Sequence, residues 1–368
     1  MIKILFVSTT LGNGGAERVM TYLLNYLSMQ DEFQVALLLL KDEHNDYLKN
    51  LVSDVAVYRL HLRKKRIKYQ CLQIIKEIAR LNPDICFTGL SGLNILLAPF
   101  IKWFTPNTKF IVRETLVLSA RYKNNKIMPI IYKLFYNNYN LIIAQSDDMY
   151  NDLIQKWGIS PEKCIKINNP INPMYIEQEY DSTMEQISFH SNAQNKFVSI
   201  GRLTYQKGYD LLLERLSENR DIDFYLLIFG EGELKSYLQE MIKRLHLSNK
   251  VKLMGFSSHI STYIQLSDGV IMSSRFEGFP NTLLEANILG KPVLVNDCPG
   301  GINEIVIPGQ NGYITQISNA SIFKKDFIKF INTKFNSLTI KELTTKRYAS
   351  EVILKKYKQA FINLWTEK

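Results

Sequence analysis

Short apolar runs alternate with amphipathic stretches along this chain, and they do so in two separate sets. The first set holds Ile4 to Val7, Gln34 to Leu40, Asp84 to Phe87, Lys109 to Val112 and Leu141 to Ala144, with helical patterns such as Ala16 to Leu27 and Leu72 to Leu81 between them. The second holds Phe197 to Ile200, Phe224 to Phe229, Val251 to Met254, Gly269 to Met272 and Pro292 to Val295, again separated by helical stretches such as Gly232 to Leu245. Strands separated by helices pair in parallel through crossovers, so the order predicts an α/β chain with two parallel sheets and their crossover helices. The domains expected are 1–172 and 196–347, joined by a polar linker, 173–195, that follows neither period. A last segment, Tyr348 to Trp365, sets Leu354, Tyr357, Phe361 and Leu364 at helical spacing, and residues 348–368 are expected to pack back on the first domain.

Bulk properties bound the class. A chain of 368 residues is too long for one ordinary core. With 46% hydrophobic and 22% charged residues it is globular. Cys71, Cys86, Cys164 and Cys298 are scattered and form no C-x-x-C pair, so they read as reduced, buried thiols of a cytoplasmic protein rather than a zinc cluster or disulfide framework. Met1 to Ser8 is a short strand without the apolar length of a signal peptide. The longest uncharged stretch, Ile85 to Ile101, is interrupted by Thr88, Gly89, Ser91, Gly92, Asn94 and Pro99. A membrane span needs roughly 20 mostly apolar residues, so this stretch reads as a buried strand and helix.

The net charge of +10 is unevenly placed: residues 51–140 hold 15 Lys/Arg against 4 Asp/Glu. Cations there are interleaved with aromatics, as in His61 to Tyr69 and Arg121 to Tyr136. Such a region suits nucleic acid, an anionic lipid surface or simply a solvated basic face. The chain carries no RNP-type aromatic motif or helix-turn-helix signature, so no nucleic-acid partner is expected.

Glu277, Gly278, Phe279, Pro280, Asn281, Thr282, Leu283, Leu284 and Glu285 set two carboxylates across a loop-to-helix junction that follows the strand Gly269 to Met272. Pro280 suits a helix start, leaving the amides of Asn281, Thr282 and Leu283 to face an anion. Glu277 then stands in the loop, and Glu285 lies inside the helix where it accepts from sugar or ribose hydroxyls. The plain alternative is two solvated glutamates on a surface helix. Gly201 to Gly208 follows the strand Phe197 to Ile200 and carries Arg202 and Lys207, two cations placed to clamp one diphosphate and to neutralise its charge as it departs. Near the start, Gly12, Asn13, Gly14, Gly15, Ala16, Glu17 and Arg18 form a strand-turn-helix loop of the kind that meets phosphate, although Glu17 stands where a dinucleotide fingerprint has its last glycine. Gly232 and Gly301 follow other strands of the second set and are further candidates for ligand contact.

Taken together, the Gly14 to Arg18 loop, the Gly201 to Gly208 segment, the Glu277 to Glu285 motif and the closing helix resemble glycosyltransferase family four. That family comprises retaining enzymes of two-domain GT-B architecture, among them bacterial capsule, O-antigen and lipid-linked oligosaccharide transferases. The resemblance implies two Rossmann-like domains facing across a cleft and a nucleoside-diphosphate sugar, with a UDP-sugar favoured. Arg202 and Lys207 would bind the diphosphate, Glu285 the ribose and Glu277 the sugar, with Gly201, Gly232, Gly278, Phe279, Pro280, Asn281 and Thr282 forming the wall and amide cradle. Gly14 and Gly15 would approach the donor from the first domain. Family members often carry a histidine after the strand matching Lys109 to Val112; here the sequence reads Val112-Arg113-Glu114-Thr115, and Arg113 or Glu114 is assigned to the acceptor side. The leaving phosphate assists the acceptor hydroxyl in such enzymes, so no protein base is strictly required; with Arg202 and Lys207 doing work otherwise often done by a divalent metal, neither a cofactor nor a metal is expected. The implied acceptor is a glycan on a polyprenyl carrier, and the basic residues 51–140 would hold the protein on the inner face of the membrane. A sugar-nucleotide epimerase of the same fold, or an inactive sugar-nucleotide-binding subunit, are the alternatives.

Overall fold

The computed structural model describes residues 1–12, 14–60, 70–171, 189 and 191–367. They form two compact units, Met1–Pro170 with Ser350–Lys368, and Ile171–Ala349. The basic run 61–69 and most of the expected linker, 172–188 and 190, lie outside the described residues.

The first unit contains β1 (Ile2–Ser8), α1 (Gly15–Ser28), β2 (Phe33–Leu39), β3 (Ala56–Arg59), α2 (Cys71–Leu81), β4 (Ile85–Thr88), α3 (Ser91–Leu97), α4 (Ile101–Phe104), β5 (Lys109–Arg113), α5 (Leu118–Arg121), α6 (Met128–Phe135), β6 (Leu141–Ala144), α7 (Asp147–Trp157) and β7 (Cys164–Lys166). Its strands pair in the order β3-β2-β1-β4-β5-β6-β7, all parallel. Alternate side chains of β1 leave on opposite faces. Leu5 and Val7 join a core with Ile74, Ile78, Phe110 and Trp157. Phe6 points the other way, with its ring 4.9 Å from Phe87 and 6.2 Å from Phe361. Local chemistry marks the helix ends: α7 begins where the Ser146 hydroxyl accepts from the Met149 amide at 3.2 Å and stops at Gly158, whose φ of 65° is left-handed.

The second unit contains β8 (Asn195–Ile200), α8 (Tyr209–Ser217), β9 (Phe224–Phe229), α9 (Lys235–Arg244), β10 (Val251–Gly255), α10 (Ile260–Leu266), β11 (Gly269–Met272), α11 (Asn281–Ile288), β12 (Val293–Asn296), α12 (Ile302–Ile305), β13 (Gly312–Thr315), α13 (Ala320–Asn332) and α14 (Ser337–Tyr348). Its sheet runs β10-β9-β8-β11-β12-β13, again parallel throughout. One face packs Phe197, Leu226 and Ile228 under Leu212 and Phe327; the other packs Val198 and Leu227 under Leu283 and Tyr348. The chain turns at Ala349, and α15 (Ser350–Thr366) belongs to the first unit, where it supplies Phe361.

In both sheets the strand order reverses beside the first strand, between β1 and β4 and between β8 and β11. The loops leaving the carboxyl ends of strands at such a switch point are where open α/β sheets bind ligands. Three strands were not anticipated: β3, β7 and β13. They are edge strands of three or four residues, and all four residues of β3 are exposed, so no apolar run announces them.

Candidate active site

The loops after β8 and β11 meet at the switch point of the second unit. Lys207, from the first loop, sets its Nζ 2.6 Å from Oε1 of Glu277 in the second. Both side chains are largely covered, at 16% and 8% exposure, so the pair is held in a setting where charge interactions are strong. Ser274 donates to the same carboxylate oxygen at 2.6 Å, the Ser273 hydroxyl donates to the Lys207 carbonyl at 2.8 Å, and the Glu277 amide donates to the Pro299 carbonyl at 2.9 Å. Lysine carries three donors, and this one gives a single hydrogen bond to a side chain among the described residues. Arg202 is exposed and forms no side-chain hydrogen bond or ion pair among them. The two cations expected to act alike therefore differ: one is fixed by a carboxylate and the other reaches into solvent.

Gly208 allows the two loops this contact. Its φ of 64° is left-handed, and a Cβ there would lie 2.2 Å from the Ser273 carbonyl oxygen. Behind it stands a brace that sequence reasoning missed. Arg275 bonds both oxygens of Asp210, at 2.8 and 2.7 Å, and its guanidinium lies 4.1 Å over the Tyr205 ring. Burial raises the Asp210 carboxyl, but the hydrogen bond and charge of Arg275 outweigh it and hold the group below its usual range. Asp210 and Arg275 are separated by 65 positions, and only the tertiary fold pairs them.

Other expected site residues sit differently. Phe279, expected in the donor wall, is 4% exposed and packs edge-on to Tyr348 at 5.4 Å inside the core. Its ring is an anchor for the loop, and Gly301 backs directly onto it. Pro280 is the N-cap residue of α11, with Asn281 and Thr282 opening the helix, and the Leu283 amide turns back onto the Pro280 carbonyl at 3.2 Å rather than facing outward. Gly278 is buried behind Glu277, while Glu285 is half-buried on α11. At Gly232 a Cβ would meet the Leu203 carbonyl oxygen at 2.4 Å, so loop packing already accounts for the glycine. Gly201 closes β8, its amide donating to the Phe229 carbonyl at 3.0 Å.

In the first unit, Gly14 and Gly15 are exposed at the start of α1. Arg113 and Glu114, expected on the acceptor side, are interior instead, at 2% and 0% exposure. Arg113 reaches the Asn169 side chain at 2.5 Å. Glu114 accepts from Tyr136 and, at 3.2 Å, from Asn94, while its second oxygen has no partner among the described residues. Burial drives its pKa up to about 7, against the opposing effect of neighbouring hydrogen-bond donors such as Asn94. The sequence at the end of β5 reads as charged, and the position is interior because Asn94, Tyr136 and Gln145 close around it. Burial likewise raises the Cys71 thiol to about 11 and the Cys164 thiol to about 12, so both stay protonated. Among the described residues no group of three or more His, Cys, Asp or Glu is arranged to hold a metal ion.

Two doubly wound parallel sheets, the second with a lysine-carboxylate pair at its switch point, agree with the architecture that the resemblance to GT-B glycosyltransferases implies. Residues 13–175 match the family model described as Glycosyltransferase Family 4, and residues 181–348 match the one described as Glycosyl transferases group 1. Over 324 residues the chain is 30% identical to the N-acetylgalactosamine-N,N'-diacetylbacillosaminyl-diphospho-undecaprenol 4-alpha-N-acetylgalactosaminyltransferase of Campylobacter jejuni, spanning 84% of this chain and 85% of that one. The fold is similar to Anabaena HepE in complex with UDP-glucose, with a TM-score of 0.76 and 20% identity over 99% of this chain and 100% of that one. It is also similar to sucrose-phosphate synthase of Thermosynechococcus elongatus, with a TM-score of 0.83 and 14% identity over the whole of both chains. The chain belongs to glycosyltransferase family 4. It is an enzyme of sugar transfer, and these relatives lend no support to the epimerase or inactive-subunit readings.

Proposed function

We propose that the protein is a retaining glycosyltransferase that moves a sugar from a nucleoside-diphosphate sugar, a UDP-sugar in first place, onto a glycan carried by a membrane lipid. The observation that carries this reading is the Lys207–Glu277 contact, 70 positions apart in sequence and 2.6 Å apart at the carboxyl edge of the second sheet. A departing nucleoside diphosphate gains negative charge as the sugar bond breaks. Lys207, held in place by Glu277, and the exposed Arg202 supply positive charge where that charge grows, and such preorganised groups stabilise a transition state more than a mobile counterion does. Glu277 orients the ammonium and accepts from a sugar hydroxyl, and Glu285 accepts from the ribose. With those cations present, no metal is required for departure, and turnover is expected to survive EDTA.

The donor preference draws support from the UDP-glucose complex of the HepE relative, and the lipid-linked acceptor from the diphospho-undecaprenol substrate in the name of the Campylobacter relative. No described helix is long and apolar enough to cross a membrane. The reading instead holds the protein on the inner membrane face through the excess cations of residues 51–140, each worth about 1 kcal/mol near an anionic surface. The test is a thermal-shift panel of nucleotide sugars followed by mass spectrometry of lipid-linked acceptors incubated with each stabilising donor. A UDP-sugar that both stabilises the protein and extends an acceptor, with the anomeric configuration retained, is expected. Stabilisation by no nucleotide sugar, or an inverted product, contradicts the reading.

A further inference from the structure

The two loops that meet at the switch point of the second unit are joined by two ion pairs of opposite sense. In the first pair the cation, Lys207, comes from the loop after β8 and the acid, Glu277, from the loop after β11. In the second pair the acid is on the first chain and the cation on the second. Asp210, in the opening turn of α8, holds Arg275 through both carboxylate oxygens. Asp210 comes three residues after Lys207, and Arg275 two residues before Glu277. Between the pairs the main chains are bonded as well. The Arg275 amide donates to the Gln206 carbonyl at 2.7 Å, its Nη1 donates to the Tyr205 carbonyl at 2.8 Å, and the Gln206 side chain donates to the Phe276 carbonyl at 3.0 Å. Tyr205, Gln206 and Lys207 are thus each bonded across to the second loop, and Arg275 is the partner of two of them.

A diphosphate acts on the two pairs unequally. It competes with Glu277 for the Lys207 ammonium, and its charge repels the Glu277 carboxylate, so the first cross-link weakens as the ligand arrives. The second has no such competitor. A guanidinium stays charged and its fork matches a carboxylate through two bonds, and both Nη groups of Arg275 are already committed to Asp210 and the Tyr205 carbonyl. Arg275 in turn keeps the Asp210 carboxyl ionised, below its usual range. The position of such a loop matters as much as its charge, because a misplacement of about 1 Å at a reacting centre costs on the order of 10²-fold.

We propose that Arg275 is a positioning residue for the diphosphate: through Asp210 and the Tyr205 to Lys207 backbone it keeps Lys207 aimed at the ligand while Glu277 is shared with it. The inference deepens the donor reading above and rests on it.

Calorimetry on the full chain with UDP and with UMP isolates the effect, because the two ligands differ only by the second phosphate. The ratio of their Kd values is also insensitive to any loss of folded protein. Wild type is expected to bind UDP about tenfold more tightly than UMP, the worth of one good charge-assisted hydrogen bond. Arg275→Ala is expected to remove most of that preference. Asp210→Asn, which keeps the shape of the acid, and Arg275→Lys, which keeps a charge without the fork, should each remove part of it. Adding Arg275→Ala to Lys207→Ala should change the ratio by less than about twofold, since groups that act through one another are not additive. A wild-type ratio in Arg275→Ala overturns the proposal, as does an equal fractional loss with and without Lys207, which would leave the brace a purely structural element. Should Arg275→Ala not fold, an unchanged ratio in both Asp210→Asn and Arg275→Lys overturns it. An undiminished ratio in Lys207→Ala sinks the donor reading and this proposal together; a lost ratio in Lys207→Ala beside an unaffected Arg275→Ala sinks the proposal alone.

Discussion

The two switch points share a topology and differ in almost everything else. The one in the second unit is a polar knot: Lys207 and Glu277 meet at 2.6 Å, Ser274 shares the carboxylate, and Arg275 locks Asp210 behind them. The one in the first unit is an apolar groove above an interior carboxyl, Glu114, that has only neutral hydrogen-bond partners. A parallel sheet offers a place for a ligand, and the loops decide which ligand. In the second unit the Lys207–Glu277 pair is largely covered and Arg202 is exposed beside it in sequence; in the first, Glu114 is buried and the groove is lined by apolar side chains.

Substitutions that remove the polar knot should cost most. Lys207→Ala and Glu277→Gln are each expected to lower kcat by about 10²- to 10³-fold, the usual loss when one stabilising group at a developing charge is removed. Each change leaves a largely covered group without its partner, so stability should fall as well and turnover is compared at a temperature where both variants are folded; turnover near wild type in either variant would break the contrast. The next effect is in pH. Glu114 has its folded pKa raised above the ordinary 4.5 to about 7, so the folded state binds more protons than the unfolded one in that window. Its contribution is full below pH 4.5 and is lost as pH rises through about 7, by on the order of 3 kcal/mol. Denaturant melts of wild type and Glu114→Gln between pH 5 and 9 should diverge, with wild type losing more; parallel curves would show that the carboxyl is not held neutral.

Two glycines sharpen the comparison further. Gly208→Ala forces a left-handed alanine against the Ser273 carbonyl and is expected to destabilise by about 2 kcal/mol, disturbing the loop that carries Lys207. Gly92→Ala enters open space in a helix and is expected to stabilise by about 0.5–1 kcal/mol. Chemical denaturation of the pair gives both signs; equal effects would mean that the glycines do the same work at the two sites.

Central strands and their crossover helices were legible because buried parallel strands are continuous apolar runs, as in Leu141 to Ala144. The edges were not, since β3 buries nothing and β7 has three residues. Within the site, Lys207 and Glu277 were legible as chemical types placed after strands. Ser274 and the Asp210–Arg275 brace were not, because their roles depend on partners brought close by folding. Phe279 misled for a related reason: sequence shows an aromatic beside a site, and only packing against Tyr348 shows which way the ring points. Arg113 and Glu114 misled in the same way, since a charged pair after a strand gives no sign of the Asn94 and Tyr136 side chains that enclose it. The groove stayed hidden because Ile85 to Ile101 satisfies a buried strand and helix equally well whether or not anything covers α3.

The central claim is that the loops after β8 and β11 grip a diphosphate. A crystal structure with the UDP-sugar that most stabilises the protein tests it most directly. The account predicts diphosphate oxygens within hydrogen-bond distance of Lys207 and Arg202, with Glu277 on a sugar hydroxyl. A nucleotide bound with its diphosphate away from both cations would contradict it.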